Sequence, residues 1–317
     1  MMTLFRVEWV LKIGSGEWVL GCILVDMRAW LLLAIAAGLY ADDLTHQMTA
    51  RISEEAEAFL KIAPNVLGTE TLHQTALKTG SRFHPRAATT APREKWVEHQ
   101  IVSEYGFATF ATESGAIHEL RRVITADGRK VAETKKAQEE LARAMTASDD
   151  NSKKELLKQF ESYGLTGAVN DFGQILLLFT RRNIERYEFT PRGSKMIGYD
   201  KALVFSYKQI DGPESLTVFN QKKHDQASKL RLEGEIRVRA TDFVPLQITL
   251  DTHQGDVPNG LREEAAVTYK MSKFGALLPA STEHQELHNG HVVAQNQFTY
   301  SDFHMFGASS DVKFEPK

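Results

Sequence analysis

Alternation of apolar and polar positions is the dominant pattern in the second half of the chain. The clearest example is KLRLEGEIRVRA at 229–240. Its apolar residues fall on one side of an extended chain: Leu230, Leu232, Ile236, Val238 and Ala240. Its charged residues fall on the other: Lys229, Arg231, Glu233, Glu235, Arg237 and Arg239. Because successive strand side chains point to opposite faces, this segment predicts a sheet with one apolar and one hydrated surface, as is typical of antiparallel sheets.

Further strands follow from the same alternation. WVEHQIVSEYGFATF (96–110) and HELRRVITADG (118–128) predict a pair of strands, with a turn at Asp127-Gly128. Residues 65–93 predict one or two strands and a polar loop, AATTAP. The other expected strands are 184–190, 201–209, 215–220, 243–252, 263–272, 280–288, 291–300 and 303–314.

Three segments predict helices or buried short elements. Apolar residues spaced three to four apart predict an amphipathic helix at 43–63, which Pro64 ends. The charged segment 131–162 predicts helical structure, with Ser152 and Glu155 as a capping box. The run ILLLF at 175–179 is apolar all round and predicts a short helix or strand buried on every side.

The most apolar stretch, residues 29–41, lies before all these elements. It is shorter than the roughly 20 residues that a membrane-spanning helix needs. It follows Arg28 and ends in small residues, so residues 27–41 predict a secretory signal peptide cut after Ala41. The protein is therefore expected in the periplasm or outside the cell.

Residues 1–26 do not fit this leader because they carry too many charges. We interpret them as a spurious upstream extension and Met27 as the true start. An alternative is a lipobox at 19–22, which would place an acylated Cys22 at the mature terminus. However, the apolar run should precede that cysteine and here it follows.

The composition and the motif content of the chain argue against several classes of function. The chain has 317 residues and a net charge of −3, so it is a poor candidate for binding nucleic acid, which relies on cationic neutralisation of phosphates. Its single cysteine lies in the leader region, so disulfides are not expected. The sequence contains no G-x-S-x-G elbow and no Walker loop, and no catalytic residue or cofactor is predicted.

Several segments resemble known groups of exported proteins. WVEHQIVSEYGF, RRVITADGRKV and NDFGQILLLFTRRNIERYEF resemble exported bacterial proteins of unknown function. The segments LEGEIRVRATDFVPLQITLD, FGALLPASTEHQEL and FTYSDFHMF are similar to the periplasmic lipoprotein-carrier (LolA-like) superfamily. The resemblance implies an α+β fold: a long curved antiparallel sheet, forming an open half-barrel, with helices covering its concave face over a hydrophobic cavity. It implies no catalytic residue.

The predicted organisation follows from these observations. After the extension (1–26) and the signal peptide (27–41) come an N-terminal helix and connecting segment (42–94). The half-barrel domain (95–317) then carries a helical insertion at 131–180. Candidate residues for a ligand cavity are Phe172, Ile175, Leu176, Leu177, Leu178, Phe179, Ile236 and Val238. The alternative is that they form a plain core.

The segment HQELHNGHVV at 284–293 is the strongest candidate for chemistry. Asn289-Gly290 predicts a two-residue hairpin turn that places His288 opposite His291. With strict alternation His284 shares the face of His288, so these three histidines are weak candidates for a metal site. The opposite face is the expected core face: Leu287, Val292, Ala294 and Phe298. We interpret the histidine face as a solvated polar hairpin and predict no metal.

Three functions remain open at this point. The first is a non-catalytic carrier that binds lipid or lipidated protein in a hydrophobic cavity. The second is a structural or interaction protein with a filled core. The third is a metal-dependent enzyme at the histidine hairpin. The oligomeric state is left open.

The leader makes a direct prediction. Amino-terminal sequencing of the exported protein should give a mature chain that begins at Asp42. A mature chain that retains residues 7–18 would contradict both the cleavage site and the assignment of Met27 as the start.

Overall fold

The computed structural model describes residues 8–13, 17–22, 27–78, 94–111, 117–212, 230–254 and 260–306. The predicted strand 215–220 and the AATTAP loop lie outside these residues. The chain divides into two compact units, Met1–Gln47 and Met48–Lys317. The first contains the antiparallel hairpin β1 (Glu8–Ile13) and β2 (Glu17–Cys22) and the beginning of helix α1 (Met27–Ile62). No helix in the described part of the chain is both long enough and apolar enough to cross a bilayer.

The second unit is built on one large sheet. Its strands are β3 (Val66–Lys78), β4 (Lys95–Thr109), β5 (Ile117–Ala126), β6 (Arg129–Lys130), β7 (Tyr187–Ile197), β8 (Asp200–Gln209), β9 (Leu230–Arg239), β10 (Pro245–Gln254), β11 (Leu261–Met271), β12 (Leu277–His288) and β13 (His291–Met305). Their order is β6-β5-β4-β3-β13-β12-β11-β10-β9-β8-β7, and every neighbouring pair is antiparallel. The predicted large, unclosed antiparallel sheet is confirmed.

The extent of strand β13 corrects the predicted boundary between the last two strands. The two strands predicted at 291–300 and 303–314 form one strand as far as Met305, and residues 307–314 lie outside the described part. A bulge between Ser301 and His304, with Asp302 at φ 54°, lets the strand continue where the alternation of the sequence breaks. The carboxylate of Asp302 accepts a hydrogen bond from Ser301, whereas His304 contacts the Asp302 carbonyl.

One surface of the sheet is buried and is called the inner surface here. Residues paired across neighbouring strands define it: Leu72, Phe298, Thr282, Val267, Ile248, Ile236 and Phe205, each at most 1% exposed. The alternation predicted for 229–240 holds on β9, where Leu232, Ile236 and Val238 are buried and Glu233 and Glu235 are partly exposed.

The segment 131–162 forms two helices, α2 (Thr134–Thr146) and α3 (Asn151–Glu161), as predicted. The capping box is wrong: Asp150 holds the N-cap position of α3, and Ser152 lies inside its first turn. The position of α2 also differs from the expectation that this segment covers the concave face. Its Leu141 and Ala144 pack with Leu67 and Leu120 on the outer surface, because that surface of β3–β5 is itself apolar.

A different segment lies on the inner surface. Residues 163–186, called the strap here, link α3 to β7 and contain only two short 3₁₀ helices, Ile175–Phe179 and Ile184–Arg186. Eight apolar strap side chains are buried: Leu165, Ala168, Val169, Phe172, Ile175, Leu176, Leu178 and Phe179. Of the two elements predicted for ILLLF, a short helix or a strand, the helix is present, although Leu177 is only partly buried. Helix α1 adjoins the strap, since Ser53 Oγ donates a hydrogen bond to the Phe179 carbonyl at 2.8 Å.

Two consecutive strap residues show that the sheet is strongly curved. Asn170 bonds to Glu263 on β11, and Asp171 bonds to His118 and the Glu119 backbone on β5. In a flat sheet, the five strand steps between β5 and β11 would span about 24 Å at ~4.8 Å per step. Adjacent residues cannot reach both strands unless the inner surface is concave. The strap lies within that concavity.

Candidate functional site

A row of buried polar side chains crosses four neighbouring strands beneath the strap. Gln74 on β3, Asn296 on β13, His284 on β12 and Glu263 on β11 are each at most 2% exposed. Asn296 lies opposite both Gln74 and His284 in the strand register. We call these four residues the polar row. A buried polar group is costly unless it is hydrogen-bonded, so the partners of each one matter.

The strap supplies most of those partners. The Thr166 carbonyl accepts hydrogen bonds from Gln74 Nε2 and Asn296 Nδ2, both at 2.9 Å. Asn296 Nδ2 also lies 2.9 Å from His284 Nδ1, which makes Nδ1 the acceptor and places the imidazole proton on Nε2. Asn170 Nδ2 donates to Glu263 Oε2 at 2.7 Å. The polar row therefore fixes the strap at Thr166 and Asn170.

His284 is the most enclosed member of the row. Its ring stacks on Phe172 of the strap, with centroids 4.4 Å apart. A Cβ at Gly167 would lie only 2.6 Å from His284 Cε1, and Gly167 has φ +65°, so the strap crosses the imidazole where only glycine fits. His284 Nε2 has no hydrogen-bond partner in the described residues and lies 3.9 Å from Glu263 Oε2.

The location of His284 corrects the solvated-hairpin interpretation. The turn itself is confirmed, with Asn289 and Gly290 at φ 54° and 77° and His288 paired with His291. However, Glu286 pairs with Ala294 while Leu287 pairs with Val292, which leaves Val293 as an extra residue in β13. This bulge shifts the register by one, so His284 moves onto the buried face of Phe298.

The three histidines consequently do not converge. His288 is exposed and contacts Glu286 at 2.8 Å, and His291 is exposed beside it. His284 lies alone among them on the inner surface. Over the described residues, no group of three or more His, Cys, Asp or Glu side chains is arranged to hold a metal ion.

A second buried cluster lies under the strap at β3–β5. Arg121 Nε contacts Glu70 Oε1 at 2.8 Å, and its Nη2 contacts Glu119 Oε2 at 2.6 Å. All three side chains are at most 2% exposed, and the guanidinium lies over the rings of Tyr105 and Phe298. We call Glu70, Arg121 and Glu119 the buried triad.

Asp171 connects the strap to this cluster. Its Oδ1 accepts the Glu119 backbone N–H at 3.1 Å, and its Oδ2 lies 2.9 Å from His118 Nδ1. A Cβ at Gly173 would lie 2.8 Å from Glu119 Oε1 and 2.7 Å from the Tyr105 hydroxyl, so the strap backbone passes directly above them. His118 and the Glu119 backbone of β5 therefore form a second anchor for the strap, directly beside the triad.

Burial changes the protonation of these groups. Desolvation raises the pKa of Glu263 to about 8, and Asn170 only partly offsets it. Desolvation also raises the pKa of Glu119, against the lowering effect of Arg121. Desolvation lowers the pKa of His284 to about 3. Both shifts favour an uncharged polar row, with Glu263 protonated and His284 neutral.

The predicted cavity residues are all placed by the structure. Phe172, Ile175, Leu176, Leu178 and Phe179 come together in the strap, each at most 5% exposed. Ile236 and Val238 lie on the inner surface of β9 and are fully buried. Tyr269 on β11 holds the strap helix, because its hydroxyl accepts from the Leu176 N–H and donates to the Gly173 carbonyl, both at 3.1 Å.

An open groove of about 470 Å³ lies on the outer surface of β7–β10. Charged side chains dominate its lining, among them Glu188, Arg192, Lys208 and Glu233. Such a lining does not suit an acyl chain, since apolar ligands bind in mostly apolar pockets.

Sequence reasoning missed Glu119, Arg121 and Asp171 as parts of a site. One signal was available: HELRR places ionisable side chains at both alternating positions of β5. A strand with one hydrated face cannot expose both sets, so some of them had to be buried. The partners Glu70 and Asp171 are about fifty residues away in sequence, and no local pattern identifies them.

The chain matches no protein-family model and no curated protein sequence. Among solved structures, a DUF1329 family protein from Desulfovibrio piger matches over 86% of this chain and 94% of its own length, at 6% identity and a TM-score of 0.32. A LolA superfamily protein from Nitrosomonas europaea matches over 81% and 92%, at 12% identity and a TM-score of 0.29. A Vibrio parahaemolyticus domain, provisionally described as outer-membrane lipoprotein-sorting, matches over 83% and 92%, at 10% identity and a TM-score of 0.31.

The group that the sequence resembles is thus also found by structure comparison. TM-scores below 0.5 support no inference about the ligand of this chain. The proposals below rest on its own residues.

The buried triad makes a stability prediction. Replacing Arg121 with Met leaves two buried carboxylates without their cation, so the free energy of unfolding should fall by about 3–5 kcal/mol. Denaturant unfolding measures it. Lys130→Met, at an exposed ion pair with Glu133, is the control and should cost less than about 1 kcal/mol. Equal losses for the two variants would contradict the role given to the triad.

Glu263 makes a prediction about pH. Its pKa is raised in the folded protein, so its contribution to stability is full below about 4.5 and is lost as the pH rises towards 8. Glu263→Gln removes this effect. The difference in free energy of unfolding between variant and wild type should shift in favour of the variant by about 1.4 kcal/mol per pH unit in that window.

Gln74→Ala is the control for this experiment. It removes two hydrogen bonds to Thr166 without removing a titrating group, so it should lower stability by the same amount at every pH. Parallel pH profiles for wild type and Glu263→Gln would show that Glu263 is ionised in the folded protein.

Proposed function

We propose that this chain is an exported, non-catalytic binding protein that captures the acyl chain of a lipid or lipidated protein between the strap and the inner surface. The observation that carries the proposal is the strap itself. It places eight buried apolar side chains on a concave sheet, yet it contains no regular element longer than five residues. Such a segment can leave the sheet without breaking a long helix or strand.

The attachments of the strap support a movable cover. Thr166, Asn170 and Asp171 hold its first half through side chains of the polar row and β5. The second half, Ile175–Phe179, is held by apolar contacts and by hydrogen bonds to the Tyr269 hydroxyl and from the Ser53 hydroxyl. Because a net hydrogen bond contributes only about 0.5–1.5 kcal/mol, this second half is the part that an apolar ligand can replace most readily.

The burial free energies of the ILLLF side chains and of an acyl chain are comparable. Fully burying a large apolar side chain contributes about 1.5–3 kcal/mol, so the four buried side chains of ILLLF contribute roughly 6–12 kcal/mol. A sixteen-carbon acyl chain, at about 0.8 kcal/mol per CH₂, contributes roughly 12 kcal/mol when fully buried. An acyl chain can therefore take the place of ILLLF on the inner surface at little net cost. The resemblance in sequence to lipoprotein carriers points to the same class of ligand.

A structural or interaction role is the second candidate. The observation that favours it is that Phe172, Ile175, Leu176 and Phe179 are all at most 1% exposed and fill the space that they line. In that case the strap is a permanent part of the core. The two candidates differ in whether the strap opens.

A fatty-acid binding experiment separates them. Binding of cis-parinaric acid, followed by its fluorescence, should be tighter for Asn170→Ala than for wild type. Losing one hydrogen bond of about 0.5–1.5 kcal/mol raises the open population, and the apparent affinity, by roughly 2- to 10-fold. Native mass spectrometry of the protein exported by its host should also detect bound acyl species.

Gln159→Ala is the matched control, because it removes an exposed hydrogen bond to Glu155 on α3, outside the strap. It should bind the probe like wild type. Absence of binding by wild type and by Asn170→Ala, with no acyl species in the mass spectrum, would reject the carrier and leave the filled-core protein.

A further inference from the structure

Three hairpin tips lie side by side at one end of the sheet. They join β7 to β8, β9 to β10 and β11 to β12, and these six strands are consecutive neighbours. The backbone N–H of Ala240 donates to the Lys201 carbonyl at 2.9 Å, which ties the first tip to the second. At ~4.8 Å per strand, the tips follow one another at intervals of roughly 10 Å. Residues 195–201, 239–244 and 270–275 are called the basic rim here.

Each tip of the basic rim presents an aromatic ring. Tyr199 is fully exposed, and Phe243 and Phe274 are partly exposed. Met196 and Met271, exposed by more than half, flank the first and third tips. Exposing a large apolar side chain to water is unfavourable. Its repetition on three successive tips therefore indicates a surface that binds a partner.

Phe243 is held in position at a conformational cost. Its φ is +57°, in the left-handed region that bulky residues avoid. Its N–H donates to the Arg239 carbonyl at 2.9 Å, and Asp242 Oδ1 accepts the N–H of Val244. Strain of this kind is typical of functional positions, and here it directs a phenyl ring to the rim.

The charge of the basic rim is positive. The three tips carry five cations (Lys195, Lys201, Arg239, Lys270 and Lys273) and two carboxylates (Asp200 and Asp242). Arg239 contacts both carboxylates, and Lys195 pairs with Glu235. Lys201, Lys270 and Lys273 are exposed beside the apolar side chains. The whole chain has a net charge of −3, so this end differs from the average of the molecule.

We infer that the basic rim docks on an anionic lipid bilayer. Tyr and Phe rings suit the boundary between headgroups and acyl chains, because they combine apolar area with tolerance of an interface. Lysines beside them attract anionic headgroups. We favour lipid over a protein groove because all three tips carry an aromatic ring and the first and third tips add exposed lysines, a combination that suits an extended anionic interface. This inference does not depend on acyl-chain capture under the strap.

A site-specific probe tests the inference on the full chain. In a Cys22→Ser background, Tyr199→Cys carries the environment-sensitive fluorophore NBD at the rim. His291→Cys carries it at the β12–β13 turn, at the other end of the sheet, as the matched control. Vesicles of phosphatidylcholine with phosphatidylglycerol should shift the emission at position 199 to the blue and leave position 291 unchanged. Vesicles of phosphatidylcholine alone should give a weaker response.

Substitution of the lysines measures the electrostatic contribution to vesicle binding. Replacing Lys201, Lys270 and Lys273 with Gln should raise the lipid concentration for half-maximal response by about 100-fold, since each lysine near an anionic surface contributes about 1 kcal/mol. All three are exposed, so these variants keep the core intact.

Three results would overturn the inference. Unchanged NBD emission at position 199 would show that the rim does not bind lipid and would leave a protein as the partner of this surface. Equal responses at positions 199 and 291 would show binding by another part of the chain, such as residues 29–41. An unchanged midpoint in the lysine variant would remove the electrostatic basis.

Discussion

Asn170 and Asp171 form the contact on which the rest of the second unit depends. They are consecutive in the strap, yet they bond to strands five places apart in the sheet. Among the described strands, β6 and β7 are the outermost in the sheet and do not pair with each other. These two side chains hold opposite sides of the concavity at a fixed separation. The apolar strap residues can then pack against both sides at once.

The buried polar groups determine where the strap lies, while the apolar groups supply most of the stability. Removing Glu263 from water is costly, and its hydrogen bond from Asn170 forms only when the strap and β11 are in register. A strap shifted by one residue would leave Glu263 without Asn170 and His118 without Asp171. An entirely apolar interface would pack in several registers. The contacts of the strap with the polar row and with β5 thus select one.

The two proposed surfaces occupy different parts of this unit and would bind through different interactions. The strap lies over the inner surface, where an apolar chain competes with apolar side chains. The basic rim lies at the strand ends, where rings and lysines meet the solvent. A protein that collects acyl chains needs access to the bilayer that contains them, so the two features are compatible. Each rests on its own observations.

The sequence by itself determined the elements that alternation and turn chemistry specify: the strand 229–240, the paired strands β4 and β5, the Asp127-Gly128 turn that joins β5 to β6, the Asn289-Gly290 hairpin and a buried short element at ILLLF. These depend on neighbours within a few residues, so local patterns predict them. It did not determine which face of β12 is buried, because the single extra residue Val293 reverses the face of His284. Nor did it place α2 on the outer surface, pair His118 with Asp171, or join Asn170 to Glu263 across 93 positions. The bulge at Val293 decides the first outcome and the apolar outer surface of β3–β5 decides the second. The last two follow from the curvature of the sheet, which brings distant strands within reach of one strap and exists only once the chain has folded.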